Sequence, residues 1–181
     1  MKKKICLLAA VCMIFALSVS FAAKPAADSG DSGVQLANPW REIAEAEAKE
    51  LCPQSFVVPD GAENVQWRVL DSVADPSGMP GALVQLTFDL DGNSYTAREQ
   101  LTGDPEADLS GMYYDWTHQM DDTLKNWSDT VCHSYRFIGE EGYADLCTWY
   151  DAESAASYSL SVTAKDLDGF DLLAIAEALH G

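Results

Sequence analysis

The run Val84-Gln85-Leu86-Thr87-Phe88-Asp89-Leu90-Asp91-Gly92-Asn93-Ser94-Tyr95-Thr96-Ala97 decides the fold. Val84, Leu86 and Phe88 alternate with Gln85 and Thr87, the period of a strand with one buried face. Asp91-Gly92 supplies the two positive-φ positions of a tight hairpin turn. A hairpin closed there sets Leu90 opposite Asn93, Phe88 opposite Tyr95 and Leu86 opposite Ala97. Such same-face pairs stabilise an antiparallel ladder.

The same period recurs on both sides of this hairpin. Upstream, Val65, Trp67 and Val69 alternate with Gln66 and Arg68, and Asp75-Pro76-Ser77-Gly78 and Pro80-Gly81 are turn signals. Downstream, Thr130 to Ile138 and Tyr143 to Tyr150 flank Gly139-Glu140-Glu141-Gly142. With Gly139 opposite Gly142, Arg136 falls opposite Asp145, an opposite-charge pair, and Tyr135 falls opposite Leu146. Tyr158, Leu160 and Val162 mark a last strand. Between them, Thr102 to Gly111 reads as an acidic loop. Met112 to Asp129 is rich in aromatics without a clear period and reads as a short helical turn followed by irregular chain.

Helices are expected at both ends. Asn38 suits an N-cap and Pro39 the first helical position, opening a helix to about Leu51 with Trp40, Ile43, Ala44, Ala48 and Leu51 on its stripe. Glu45 and Lys49 make a favourable i, i+4 pair, and Pro53 ends the helix. At the other end Asp168 is the expected cap, with Asp171 at the N3 position, before a stripe of Leu172, Ile175, Ala176 and Leu179. The predicted architecture is α+β: a single antiparallel sheet of about six strands with an N-terminal and a C-terminal helix packed on it.

Residues 1–22 read as a signal peptide. Lys2, Lys3 and Lys4 precede an apolar run from Ile5 to Val19, and Ala22 and Ala23 offer a small-residue cleavage site. The run is short of the ~20 residues that span a bilayer. Leu8 to Cys12 only loosely resembles a lipidation site, so Cys6 and Cys12 read as apolar members of the leader. Residues 23–37 read as a flexible linker, and residues 38–181 as one α+β domain of unknown function. The expected location is secreted or extracytoplasmic, at the cell surface, with no stable membrane span after cleavage.

Net charge is −18, with 29 acidic and 11 basic residues. The leader holds three of the bases and none of the acids, so cleavage takes the charge to −21. That surface repels phosphate backbones and argues against nucleic acid as a partner. It favours cationic partners or divalent ions, and it also serves simple solubility outside the cell. Three cysteines remain, Cys52, Cys132 and Cys147, an odd number that leaves the pairing open. In the second hairpin's register Cys132 and Cys147 share a face, offset diagonally by two residues. They are therefore a candidate disulfide, though not an aligned one.

No catalytic grouping stands out, and no cofactor or metal is expected. Asp89 to Asn93 only faintly resembles a calcium loop and is better read as the hairpin turn. Asp166, Asp168 and Asp171 suit a helix N-terminus. His118, His133 and His180 are scattered, with His133 expected on the packed face beside Val131 and Tyr135. A Cys132–His133 dyad is disfavoured because strand neighbours point to opposite faces. Of the five tryptophans, Trp40, Trp67 and Trp149 sit in periodic elements and read as core. Trp116 and Trp127 lie outside them and are the candidate ligand-contact aromatics.

Several short motifs together resemble a known group: Asn38-Pro39-Trp40, Phe56-Val57-Val58-Pro59-Asp60, Tyr95 with Arg98, Asp108-Leu109-Ser110-Gly111-Met112-Tyr113, Thr148-Trp149 and Tyr158-Ser159-Leu160-Ser161. From Asn38 to Leu179 the chain resembles a family of small secreted or membrane-tethered domains of unknown function from Gram-positive bacteria, themselves similar to extracytoplasmic parts of anti-sigma-factor proteins. Asp115 to Asp129 departs from that pattern. The resemblance implies an α+β fold and an extracytoplasmic site, and carries over no catalytic residue. The functional expectation is a secreted, non-catalytic binding or interaction module whose partner is a protein, peptide or small ligand. The alternatives are a carboxylate-dependent secreted hydrolase, which requires converging acids in a pocket with at least one raised pKa, and a carrier of an apolar ligand, which requires an apolar cavity of about 300 Å³ or more.

Overall fold

A computed structural model describes residues 38–74, 80–140, 142–166 and 171–180. The leader, the linker, the turn at Asp75 to Gly78 and the cap expected at Asp168 lie outside the described residues. The chain forms β1 (Arg41–Ile43), α1 (Glu45–Leu51), β2 (Glu63–Ala74), β3 (Pro80–Leu90), β4 (Asn93–Leu101), β5 (His118–Leu124), β6 (Thr130–Ile138), β7 (Tyr143–Asp151), β8 (Ala156–Ala164) and α2 (Leu172–Ala178). All eight strands join one antiparallel sheet in the order β1-β2-β3-β4-β8-β7-β6-β5.

The deciding hairpin has the expected register, with Leu86 on Ala97, Phe88 on Tyr95 and Leu90 on Asn93. Its turn residues Asp91 and Gly92 have φ of 50° and 80°, the left-handed pair that matches the twist of the flanking strands. Phe88 and Tyr95 stack at 5.1 Å between ring centres. The β6–β7 hairpin also has the expected register, with Arg136 on Asp145, Tyr135 on Leu146 and Cys132 on Trp149.

The α+β expectation is corrected. The sheet has eight strands rather than about six, and the two helices have only seven residues each, so the domain is nearly all-β. Both unforeseen strands are sheet edges. β1 replaces the first turns of the expected helix: Arg41, Glu42 and Ile43 pair with Val69, Arg68 and Trp67. Long-range pairing thereby overrides local helix propensity. Asn38 caps no helix; its side chain accepts from Trp40 N at 3.1 Å. Helix α1 starts after Ala44, which gives no side-chain cap, and keeps the Glu45–Lys49 pair at 2.6 Å. β5 falls in the segment expected to be a helical turn and irregular chain. At the other end Asp171 is the N-cap of α2, accepting from Ala174 N at 3.2 Å.

One face of the sheet carries the core. Val69, Val84, Leu86, Ala97, Tyr158 and Leu160 are all 1% exposed or less, and α1, α2 and Phe56 cover them. Four aromatics knot this face: Phe56, Trp127, Trp149 and Tyr158. Trp149 lies parallel to Tyr158 at 5.4 Å, Trp127 is 4.7 Å from Tyr158, and Phe56 meets all three edge-on. Such pairs add about 0.5–1.5 kcal/mol each beyond area burial. Helix α2 is pinned to the knot. Trp127 Nε1 donates to Ala176 O at 2.9 Å. The Glu177 carboxylate accepts from the backbone N–H groups of Lys125 and Asn126.

The opposite face is crossed by a strap, residues 102–117. The Arg98 guanidinium, reaching up from β4, donates to Leu109 O at 2.9 Å and Ser110 O at 2.7 Å, and to Gln85 Oε1 at 2.9 Å. Ser157 Oγ donates to Asp104 O at 2.8 Å. Ser157, Ser159 and Ser161 point away from the core and are nevertheless buried. Their small side chains let the strap approach the sheet.

Candidate functional site

The strap does not lie flat over β6 and β7. Between it and those strands runs a half-open groove of about 690 Å³. Alternation on the strands fixes its floor: Cys132, Ser134, Cys147 and Trp149 belong to the core face, so Val131, His133, Tyr135, Leu146, Thr148 and Tyr150 belong to the groove. Its wall is residues 105–108 with Met112 and Trp116, and its far end is the β7–β8 turn at Asp151 to Glu153. Trp116 is half-buried and tilts over Tyr135 at 5.7 Å. Tyr114 rests on Phe137 at 5.0 Å and joins Trp116 at 5.4 Å. The strap's lower end is closed by Thr117, whose N–H and Oγ1–H both donate to Arg136 O.

Polar chemistry in the groove is one-sided. Glu106, Asp108, Asp151 and Glu153 line it, and among the described residues no Lys or Arg does. Asp108 is committed to local structure, accepting from Ser110 N and Oγ. Asp151 likewise caps Glu153 N and Ser154, whose donors hold its carboxyl below the usual carboxylate range against the opposing effect of burial. Glu106 and Glu153 are exposed.

The two candidate contact tryptophans part company. Trp116 lines the groove. Trp127 is corrected: it is 4% exposed and is a core residue that anchors α2. His133 is corrected as well. It is exposed on the groove face, with Nδ1 2.7 Å from Asp121 Oδ1. That carboxylate orients the ring as an acid orients the base of a hydrolytic triad. Thr148 stands directly opposite on β7, but no hydrogen bond joins His133 to a hydroxyl among the described residues. Trp40, expected on a helix stripe, instead lies under the Arg98 guanidinium, 5.5 Å from ring centre to carbon.

Cys52, Cys132 and Cys147 are buried thiols. Cys132 and Cys147 share the core face on the expected diagonal. The Cys147 thiol, held by Cys132 and desolvated, is pushed well up from its ordinary value; Ser134 Oγ lies 3.6 Å from its sulfur.

Among the described acids Glu99 has the most perturbed environment, fully buried on β4 with its carboxyl pushed up to about 8 by burial. It lines neither the groove nor the smaller cavity of about 300 Å³ between α2 and strands β5–β7. That smaller cavity has Met120, Ile138, Leu172 and Leu173 on its walls, but Asp122, Arg136, Asp145 and Asp171 share it. Arg136 clamps Asp145 there through contacts of 2.6 and 2.8 Å. Its walls thus combine apolar side chains with this ion pair. Among the described residues no group of three or more His, Cys, Asp or Glu side chains is placed to hold a metal ion, and no helix is long and apolar enough to cross a membrane.

Fold and groove together define a single-sheet β domain with a lateral aromatic groove. Comparison with family models, with curated proteins and with solved structures finds no match. Nothing in these comparisons links the chain to a particular family, and no functional reading rests on the resemblance of the short motifs.

The groove was only partly legible. Its floor follows from strand alternation. Its wall depends on the strap, whose one sequence signal is the small, polar Ser157-x-Ser159-x-Ser161 face opposite the apolar stripe of Tyr158, Leu160 and Val162. A small polar face on a central strand signals that backbone packs over it.

Proposed function

We propose that this chain is an exported, non-catalytic binding module and that the groove between the strap and strands β6–β7 is its ligand site. One observation carries the reading. A concave surface of about 690 Å³ presents half-buried aromatic rings, Trp116, Tyr135 and Tyr150, that are packed by neighbours yet open on one side. Sites for ligands combine such apolar, aromatic walls with a few placed polar groups. The hydrolase alternative needs a perturbed acid inside a cavity, and the raised carboxyl of Glu99 lines neither the groove nor the cavity under α2. Export rests on the leader at residues 1–22.

The test is a chemical-shift screen of the exported protein against pooled peptides, amines and sugars. Shifts confined to Met112–Trp116 and the facing residues of β6 and β7 support the reading. Shifts mapping elsewhere, none at all, or turnover of any compound overturn it. N-terminal sequencing of the exported chain checks the leader, with a start near residue 23 expected.

A further inference from the structure

We infer that the ligand of this groove is an extended cationic peptide segment, its basic side chains reaching the carboxylate rim while its apolar side chains lie on the aromatic floor. This rests on the groove being a binding site, the function proposed for it, and names what it binds.

Charge carries the argument first. Glu106 and Asp108 stand on one side of the groove, Asp151 and Glu153 at its end; among the described residues no Lys or Arg lines it, and His133 on its floor is paired with Asp121. Elsewhere four of the chain's cations are committed within the fold. Arg41 is bonded to Glu47 and Asp71, Lys49 to Glu45, and Arg136 to Asp145, while Arg98 is spent on the strap. No Lys or Arg of the groove's described lining offsets its carboxylates, and a cleft focuses such a field. An anionic or phosphate-bearing ligand is repelled by it.

Shape carries the second part. The groove floor is not polar throughout. Val131 is 52% exposed, and Met112, Trp116 and Tyr135 expose apolar surface beside it. A bare polyamine leaves that surface wet. A basic side chain lays its methylene stem along such a surface and keeps its charge at the rim, and ring faces attract the cation further. Alternate residues of an extended peptide serve both regions at the spacing of a strand.

The experiment titrates the exported protein with three hexapeptides that alternate Leu with Lys, Leu with Glu and Leu with Ser. The Lys peptide is expected to bind at least tenfold more tightly than the other two, to weaken as salt rises from 50 to 300 mM, and to shift Trp116 and Tyr135. Glu106→Gln with Glu153→Gln, both at exposed positions, weakens it about tenfold, and Trp116→Ala does so with unchanged salt dependence. The double change Glu50→Gln, Glu63→Gln removes the same charge outside the groove and leaves binding within twofold. Equal weakening by that control pair means diffuse attraction to an acidic protein and overturns the inference. Equal binding of all three peptides in the groove overturns it while sparing the groove as a site. Absence of binding by the Lys peptide overturns it too, and the pooled screen then judges the groove alone. Lys-peptide shifts that map outside the groove overturn both.

Discussion

Glu99 is buried to 0% exposure on the core face, and its Oε1 accepts a 2.5 Å hydrogen bond from Ser55 Oγ, while its Oε2 has no hydrogen-bond partner among the described residues. Desolvation raises the carboxyl from 4.5 to about 8, against the opposing pull of Ser55 and of the Phe56 backbone. The same carboxylate, after burial, helps push the Cys52 thiol up to about 12. The folded chain therefore holds this proton more tightly than the unfolded chain does. The associated stability is fully present below pH 4.5 and is lost as pH rises to about 8, because only the unfolded state ionises freely across that window. Each tenfold difference in proton affinity between the two states corresponds to about 1.4 kcal/mol. Urea unfolding from pH 4.5 to 8.5 is expected to show a decline of a few kcal/mol. Glu99→Gln flattens the decline whatever its effect at low pH. A Glu99→Gln chain with the full decline places the titration elsewhere.

Arg98 joins β4 to the strap through two carbonyls, and Trp40 shields the other side of its guanidinium. Burial lowers its pKa, with Asp108 opposing that effect. Arg98→Met removes the donors and leaves Leu109 O and Ser110 O without that partner. A loss of about 2–3 kcal/mol is expected, in line with unpaired buried polar groups. Hydrogen exchange is the sharper readout: amides of 108–112 should speed up many-fold while those of β8 stay protected. Uniform acceleration across the sheet would show that Arg98 supports the whole fold rather than the strap.

Arg136 and Asp145 form a cross-strand pair in which the carboxylate side chain is 6% exposed and the guanidinium 39%. The hydrogen bond to Asp145 raises the Arg136 pKa, more than burial lowers it. Removing only the base leaves a buried charge without its partner, a change that typically costs about 3–5 kcal/mol. Removing both with apolar residues of similar volume is often neutral. Arg136→Met is thus expected to destabilise strongly, and Arg136→Met with Asp145→Leu to recover most of the loss. A double variant no more stable than the single one would refute the burial argument.

The pair was legible from sequence because both residues sit in strands of clean alternation about one hairpin. The same holds for Leu86 with Ala97 and Phe88 with Tyr95. What alternation cannot reveal is a strand exposed on both faces. His118, Gln119, Met120 and Asp121 of β5 are all exposed, so no period of two is imposed on them. The charges of Asp121 and Asp122 blunt this sheet edge. β1 is three residues long and polar at Arg41 and Glu42, the same device at the other edge. Trp127 misled for a related reason. It lies outside any periodic element, yet its burial depends on Phe56, Tyr158 and α2, contacts distant in sequence. Trp116 was legible as a surface aromatic because the strap holding it has no apolar period.

The thiols give the last prediction. Cys52, Cys132 and Cys147 are 4%, 0% and 1% exposed. Only thiolate attacks an alkylating agent; desolvation holds the Cys52 thiol in the protonated form, and the hydrogen bond with Cys132, aided by desolvation, does so at Cys147. Reduced, exported protein incubated with iodoacetamide at pH 8 should stay unmodified while folded and take up three carbamidomethyl groups after denaturation. Fast labelling of folded protein at Cys52 would contradict its burial against Glu99. Protein purified without reductant reports on the Cys132–Cys147 diagonal. Three groups after denaturation keep it a thiol pair, as the structure shows. Uptake at Cys52 alone would mean that strands β6 and β7 shift enough to bring the two sulfurs into bonding distance, a rearrangement that the Ser134–Cys147 register opposes.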